Sequence, residues 1–230
     1  MMLLTKGRTP VLCLGLTLVV LAAYANHFQN RFHFDDAPTV VENRFVRDLR
    51  NIPSFFTDSA KFSINPAGQV YRPVVTTSLA LDYRLARNEY KPFAFHLSTF
   101  LWYCVEVILL FFFFRRIMDA VDPHPTNLWV AWLAAACYGL HPANAETVNY
   151  IIQRGDVYTT LGVVASLLVF AAFHGVHFHL VAIPGLDVDI PVSVFKRDLA
   201  GLIERILLVD FFAQFLAGIG GRSGQHHRER

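Results

Sequence analysis

The sequence predicts an all-α integral membrane protein with about four transmembrane helices, a long outer loop between the first and second, and amphipathic helices at the interface. Three observations carry this expectation. Hydrophobic residues form 54% of the chain, above the roughly 45–50% usual in soluble domains. Charged residues form only 17%, against about 25% in soluble proteins. The apolar residues, 21 Phe among them, are gathered into long runs, and that segregation points to lipid rather than to a large soluble core.

The first run, about 11–25, follows Lys6 and Arg8. A signal peptide shares this charged start, and Ala23-Tyr24-Ala25 offers a weak cleavage site. The reading taken is an uncleaved span with a cytoplasmic amino terminus, by the positive-inside rule. The second run, 93–114, matches the ~20 residues needed to cross the hydrocarbon core. Arg115 and Arg116 follow it directly and place its end on the same inner side. The third run, about 128–141, is short and closed by Pro142; alone it could be re-entrant. The fourth run, 157–173, can just span, and parity favours a crossing by the third.

The loop 26–92 then faces outward. Pro73 suits the first turn of a helix there, and Val74, Leu81 and Leu85 lie near helical spacing, which suggests an amphipathic helix on the membrane interface. Residues 1–175 therefore form the membrane region, and 176–230 a divergent tail. The tail holds an amphipathic stretch, Leu199–Ile219, and ends in a polar segment from Gly220 expected to be disordered.

Function classes can be narrowed. The net charge of +2 gives no basic footprint for nucleic acid. Cys13, Cys104 and Cys137 each sit in an apolar run, where they read as small packing residues rather than a disulfide framework. Asp35 and Asp36 come shortly after the first span, where a carboxylate can meet a lipid-linked substrate at the membrane surface. Adjacent residues point in different directions, so one of the pair can face a site while its neighbour orients, caps or binds a metal. The ordinary alternative is a capping or solvated Asp pair.

His141, Glu146, Arg154 and Asp156 follow the third run on the same outer side. An Arg fork there matches the geometry of a lipid phosphate, though a snorkelling Arg with ordinary ion pairs has the same sequence. Glu106 lies near the middle of the second span, where it reads as a functional acid or as a protonated one bonded to another helix. His174, His177 and His179 have metal-compatible spacing but no clear fourth ligand nearby.

Phe34-Asp35-Asp36, Tyr71-Arg72-Pro73, Phe95-His96-Leu97, and His141-Pro142 with Glu146, Thr147-Val148 and Gln153-Arg154 recur in this order. Over about residues 10–173 the set resembles the membrane portion of the transmembrane and tetratricopeptide-repeat O-mannosyltransferases and their bacterial relatives, of the GT-C class of glycosyltransferases. The resemblance implies an enzyme that takes a sugar, mannose or another hexose, from a polyprenyl-phosphate carrier to a Ser or Thr of an acceptor protein. It implies Asp35 and Asp36 as the catalytic acids, with Asp36 favoured as base and a divalent metal at the pair as the one cofactor it admits. Tyr71, Arg72, His96, His141, Glu146, Arg154 and Asp156 become the substrate-binding set, with Arg72, His141 and Arg154 on the carrier phosphate.

The family's membrane module has many more spans and is followed by repeats. This chain shows about four spans, no repeat and a tail unlike the family. Thr99 and Asn144 stand where the family often has Asn and His. A truncated version, inactive alone, is the matching expectation. The alternative function is a non-catalytic membrane remnant or scaffold that binds partners through its outer loop. The wording of Tyr150-Ile151-Ile152-Gln153-Arg154 favours a bacterial inner membrane; in a eukaryote the endoplasmic reticulum membrane takes its place.

Overall fold

A computed structural model describes the backbone of residues 8–181 and the side chains of residues 8–171. Among the described residues every regular element is helical and no strand occurs. The helices are α1 (Arg8–Ala23), α2 (Ile52–Phe55), α3 (Pro73–Leu85), α4 (Pro92–Val121), α5 (Asn127–Gly139), α6 (Asn144–Asn149) and α7 (Arg154–Val181). The tail stretch Leu199–Ile219 and the polar end from Gly220 lie outside the described residues, as do the side chains of His174, His177 and His179.

Two stretches, Pro92–Val121 and Ile151–Ala171, are long and apolar enough to cross a bilayer. The apolar α1, with 16 residues, is about 24 Å long, and α5, with 13 residues, about 20 Å, both short of the ~30 Å hydrocarbon core. Contacts along α4 show how far the chain that follows each extends. At one end Arg115 on α4 donates to the Thr9 hydroxyl on α1. Further along, Tyr24 meets Tyr103 edge to face. Beyond α1, His27 in the 3-10 turn Ala25–Gln29 reaches His96. The first segment thus runs beside α4 from Arg115 to His96, about 28 Å by helical rise.

The third segment behaves alike. The Tyr138 hydroxyl, at the end of α5, donates to Glu106, whereas Arg154, at the start of α7, donates to the Phe95 carbonyl. Between them the chain climbs 11 residues of α4, about 16 Å, through α6 and the 3-10 turn Ile151–Gln153. Irregular backbone at such depth is tolerated where protein buries it. Val148, Ile151 and Ile152 are buried there.

Packing follows the small residues. Leu12, Leu16 and Val20 of α1, Tyr103, Val107 and Phe111 of α4, and Ala131, Ala135 and Ala136 of α5 form one core. The outward faces are also apolar: Leu14, Leu133, Val163 and Phe170 are exposed. A bundle apolar both inside and outside suits lipid as its solvent.

The outer loop folds as a chain of short turns. Asn43, Asp48, Asp58 and Asn65 each accept a hydrogen bond from the backbone amide two residues on, at Phe45, Arg50, Ala60 and Ala67, the local bonding that favours Asn and Asp in turns. The buried Asn43 amide also donates to the carbonyls of Thr39, Lys61 and Phe62. A second core results, in which Val40, Val46, Phe55 and Phe62 pack against Val75, Leu79 and Ala80 of α3, Phe95 of α4, and Ile151 and Ile152.

Helix α3 begins at Pro73 as the sequence predicts. Its apolar character is two-sided, however. Val75, Leu79 and Asp82, at i, i+4 and i+7, face inward, while Val74, Leu81 and Leu85 are exposed. Arg154 and Asp156 belong to the first turn of α7.

Gly139 marks the closest crossing. A Cβ there would meet Val20 Cγ2 at 3.1 Å and Val107 Cγ1 at 3.2 Å. Replacing Gly139 by Leu should lower stability in mixed-micelle unfolding by roughly 1–3 kcal/mol, the usual penalty of overpacking. Gly162→Ala, with nothing within 4 Å, should be neutral or raise stability by up to about 1 kcal/mol through helix propensity. Equal effects at the two positions would contradict this packing.

Candidate functional site

The outer ends of the segments meet around Asp36. Asp36 is 0% exposed. One carboxylate oxygen accepts the His33 amide at 3.0 Å and the other the Ile152 amide at 3.1 Å. Burial pushes this carboxyl up to about 6, against the opposing pull of those two amides and of the Arg154 and His33 charges. Asp35, its neighbour, is exposed. The Asp35 amide donates to the Tyr150 hydroxyl at 2.9 Å, and its carbonyl accepts from the Thr39 hydroxyl. Asn30 donates to Asn149 at 2.9 Å. Three hydrogen bonds therefore stitch residues 30–36 to residues 149–152, with side chains doing what a strand ladder would do.

Arg154 supports this seam from below. It is 0% exposed and donates to Asp82, to the Phe95 carbonyl at 3.0 Å and to the Ile151 carbonyl at 3.2 Å. Asp82 of α3 is buried with it, so the pair forms an ion bridge inside the protein. Such a pair is tolerated when further hydrogen bonds satisfy the remaining groups. Arg154 thus joins α3, α4 and the Ile151–Gln153 turn. It is a buried internal tie, not an exposed fork open to a lipid phosphate.

His96 also lies inside, at 0% exposure, its ring edge-on to that of His27 with centroids 4.4 Å apart. The His27 Nε2–H donates to the His96 carbonyl at 3.0 Å.

The remaining expected residues lie at the surface. Arg72, half-buried, leans on the Phe62 ring at 5.8 Å. Its guanidinium borders Gly155, where a Cβ would meet Nη1 at 3.5 Å. Among the described residues it forms no ion pair. Tyr71 is exposed and donates its hydroxyl to the Phe56 carbonyl. The half-buried His141 accepts the Ala143 amide through Nδ1 in the turn before α6. Glu146 is exposed and within 3.5 Å of the Gln153 amide; Asp156 is exposed in the first turn of α7.

The structure therefore gathers Asp35, Asp36, His96 and Arg154 round one seam and sets Arg72 beside the start of α7. Asp82 and Tyr150 join the seam without having been expected there; the only sequence signal for Asp82 is its i+7 place on the Val75–Leu79 face.

A divalent cation takes several oxygen ligands. Both Asp36 oxygens already accept backbone amides, which leaves Asp35 as the one open carboxylate at the seam. Among the described residues no group of three or more His, Cys, Asp or Glu side chains is placed to hold a metal ion. The donor set does not fit such an ion. Between α3 and α4 lies a groove of about 480 Å³ lined by Leu85, Leu97, Leu101, Trp102 and Val105, with Asp82 and Ser98 on its wall.

No known family profile matches the chain, and no solved structure matches it. Among curated proteins it is similar to mouse Protein O-mannosyl-transferase TMTC3, 22% identical over 160 residues, covering 68% of this chain and 16% of that protein. The human Protein O-mannosyl-transferase TMTC3 gives 21% over the same length. Protein O-mannosyl-transferase Tmtc2 of Drosophila melanogaster gives 26% over 159 residues, covering 67% of this chain and 16% of that protein. The chain spans about one sixth of the length of these relatives. They are consistent with a glycosyltransferase role in a membrane protein.

The folded chain holds the Asp36 proton more tightly than an unfolded one, so ionising Asp36 costs folding free energy. The cost is absent below about pH 4 and complete above the folded value of about 6. Relative to Asp36→Asn, the parent should lose up to roughly 3 kcal/mol of stability between pH 4 and pH 7, at about 1.4 kcal/mol per tenfold change in proton affinity. Unfolding curves of both proteins across that range test it; a constant difference would mean that Asp36 titrates normally.

Proposed function

We propose that this chain is a membrane glycosyltransferase, or a portion of one, that transfers a hexose from a polyprenyl-phosphate carrier to a Ser or Thr hydroxyl of a protein. One observation carries the reading: the Asp35-Asp36 pair is fixed against residues 150–152, one carboxylate open and the other buried beneath it. The names of the relatives supply the sugar and the acceptor class. The groove between α3 and α4 supports a lipid-borne donor, because its apolar wall faces the bilayer and its polar end lies below the seam. In this reading four segments cross, α1 and α5 each finished by the irregular chain that follows. The membrane is a bacterial inner membrane, or that of the endoplasmic reticulum in a eukaryote.

In this reading the expected division of labour is reversed, which the burial of Asp36 supports. Asp36 has no free face, so it holds the turn and Ile152 in place. Asp35 takes the proton of the acceptor hydroxyl as its oxygen attacks the anomeric carbon. The bond from that carbon to the carrier phosphate breaks, and the phosphate leaves with the electron pair. Arg72 meets the growing negative charge, as preorganised cations do in phosphate transfer chemistry. Arg154 and His96 act through position alone. Their burial also favours the second reading, a non-catalytic membrane scaffold whose outer loop binds partners.

The test is transfer from a polyprenyl-phosphate hexose to a Ser/Thr peptide, with the chain in proteoliposomes. Asp35→Asn should lower the rate by about 10²–10⁴, the range for loss of a general base. Asp36→Asn should cost less, acting through the position of the turn. Parental rates in both variants would remove the pair from the chemistry. A parent that transfers nothing, yet captures partners through the outer loop, would establish the scaffold.

A further inference from the structure

The turn that carries Asp35 has an unexpected residue at its tip. The His33 amide donates to the Asp36 carboxylate and the Asp36 amide donates to the His33 carbonyl at 2.8 Å, so residues 33–36 form a turn closed at both sides. Its first central residue, Phe34, has φ +43°. That position favours Gly or Asn, because a Cβ there crowds the following carbonyl at a cost of roughly 1–2 kcal/mol. Phe34 is nevertheless 89% exposed, so no burial of its ring offsets the strain. Among the described residues its one ring neighbour is Tyr150, edge to face at 6.4 Å. Tyr150 in turn fixes Asp35 by accepting its amide. Strained, exposed and held from both ends, the ring has no structural role that Gly would not fill better, and strain of this kind collects at ligand-contacting sites.

We propose that Phe34 is a binding platform for the sugar ring, with the Asp35 carboxylate beside it taking a sugar hydroxyl. An aromatic face is negative and a hexose presents a face of weakly positive C–H groups, so the two attract. A carboxylate at the ring's edge accepts hydroxyl hydrogen bonds and sets the orientation. The choice of a sugar rests on the glycosyltransferase reading, but the binding does not need the transfer reaction.

The experiment therefore measures binding without turnover. The full chain is placed in lipid nanodiscs, and methyl α-D-mannopyranoside is the probe in saturation-transfer NMR. The parent should transfer saturation to the ring C–H protons. Phe34→Gly should reduce that transfer at least fivefold while leaving the unfolding temperature equal or higher, because Gly relieves the turn. Phe34→Trp should keep the transfer, and its indole emission should shift with the sugar. Unchanged transfer in Phe34→Gly, or none in the parent, overturns the platform. So does strong quenching of the Phe34→Trp emission by brominated acyl chains, which would make residue 34 a membrane anchor. Sugar binding with no transferase activity would defeat the enzymatic reading and leave the platform standing.

Discussion

The buried bridge between Arg154 and Asp82 is the interaction on which the outer half of this structure depends. Arg154 opens α7, yet its guanidinium is spent on α3 and on the carbonyls of Phe95 and Ile151. Arg154 is thereby joined to α3 and α4, 72 and 59 residues away in sequence. Ile152, two residues before Arg154, presents its amide to Asp36 as a consequence. Removing one charge from such a pair strands the other inside the protein, which makes the bridge a strong constraint even where its net contribution to stability is small.

From this point the geometry of the candidate site follows. A loop between two spans could drape anywhere over the bilayer surface. Here Asn30, Asp35 and Asp36 are fastened to residues 149–152, and α3 lies on the same seam. The two short helices fit the same scheme. Because α1 and α5 stop part-way along α4, the segments that complete them carry the polar residues, and these are buried by protein rather than exposed to lipid. The cost of that arrangement is a seam rich in titratable groups, of which Asp36 is the clearest displaced case.

Much of the helical layout was legible in the sequence, because lipid leaves its mark as uninterrupted apolar runs, and Pro73 and Pro92 announce the starts of α3 and α4. Run length misjudged the far end of α4, where helix continues past Arg115 and Arg116 to Val121, and the start of α7, which is Arg154. Charges end an apolar run without ending a helix. In α3 periodicity showed a helix and its apolar Val74, Leu81 and Leu85 face, which is exposed, but not the second, inward face of Val75, Leu79 and Asp82. In the site, the placement of Asp35 and Asp36 after the first span was visible. Which of them is open was not, since it depends on the Ile152 amide, 116 residues away. Arg154 carried the ordinary sequence signature of a phosphate ligand, and only its partners show that it is an internal tie.

A double-mutant cycle on Asp82 and Arg154 tests this account most directly. Unfolding in mixed micelles would be followed for the parent, Asp82→Leu, Arg154→Met and the double variant. Each single change should cost on the order of 3–5 kcal/mol by leaving a buried charge unpaired. The double variant should recover a large part of that loss, because neither charge remains. Single changes that each cost under about 0.5 kcal/mol, the level of ordinary surface substitutions, would show that the outer loop is not held by this bridge.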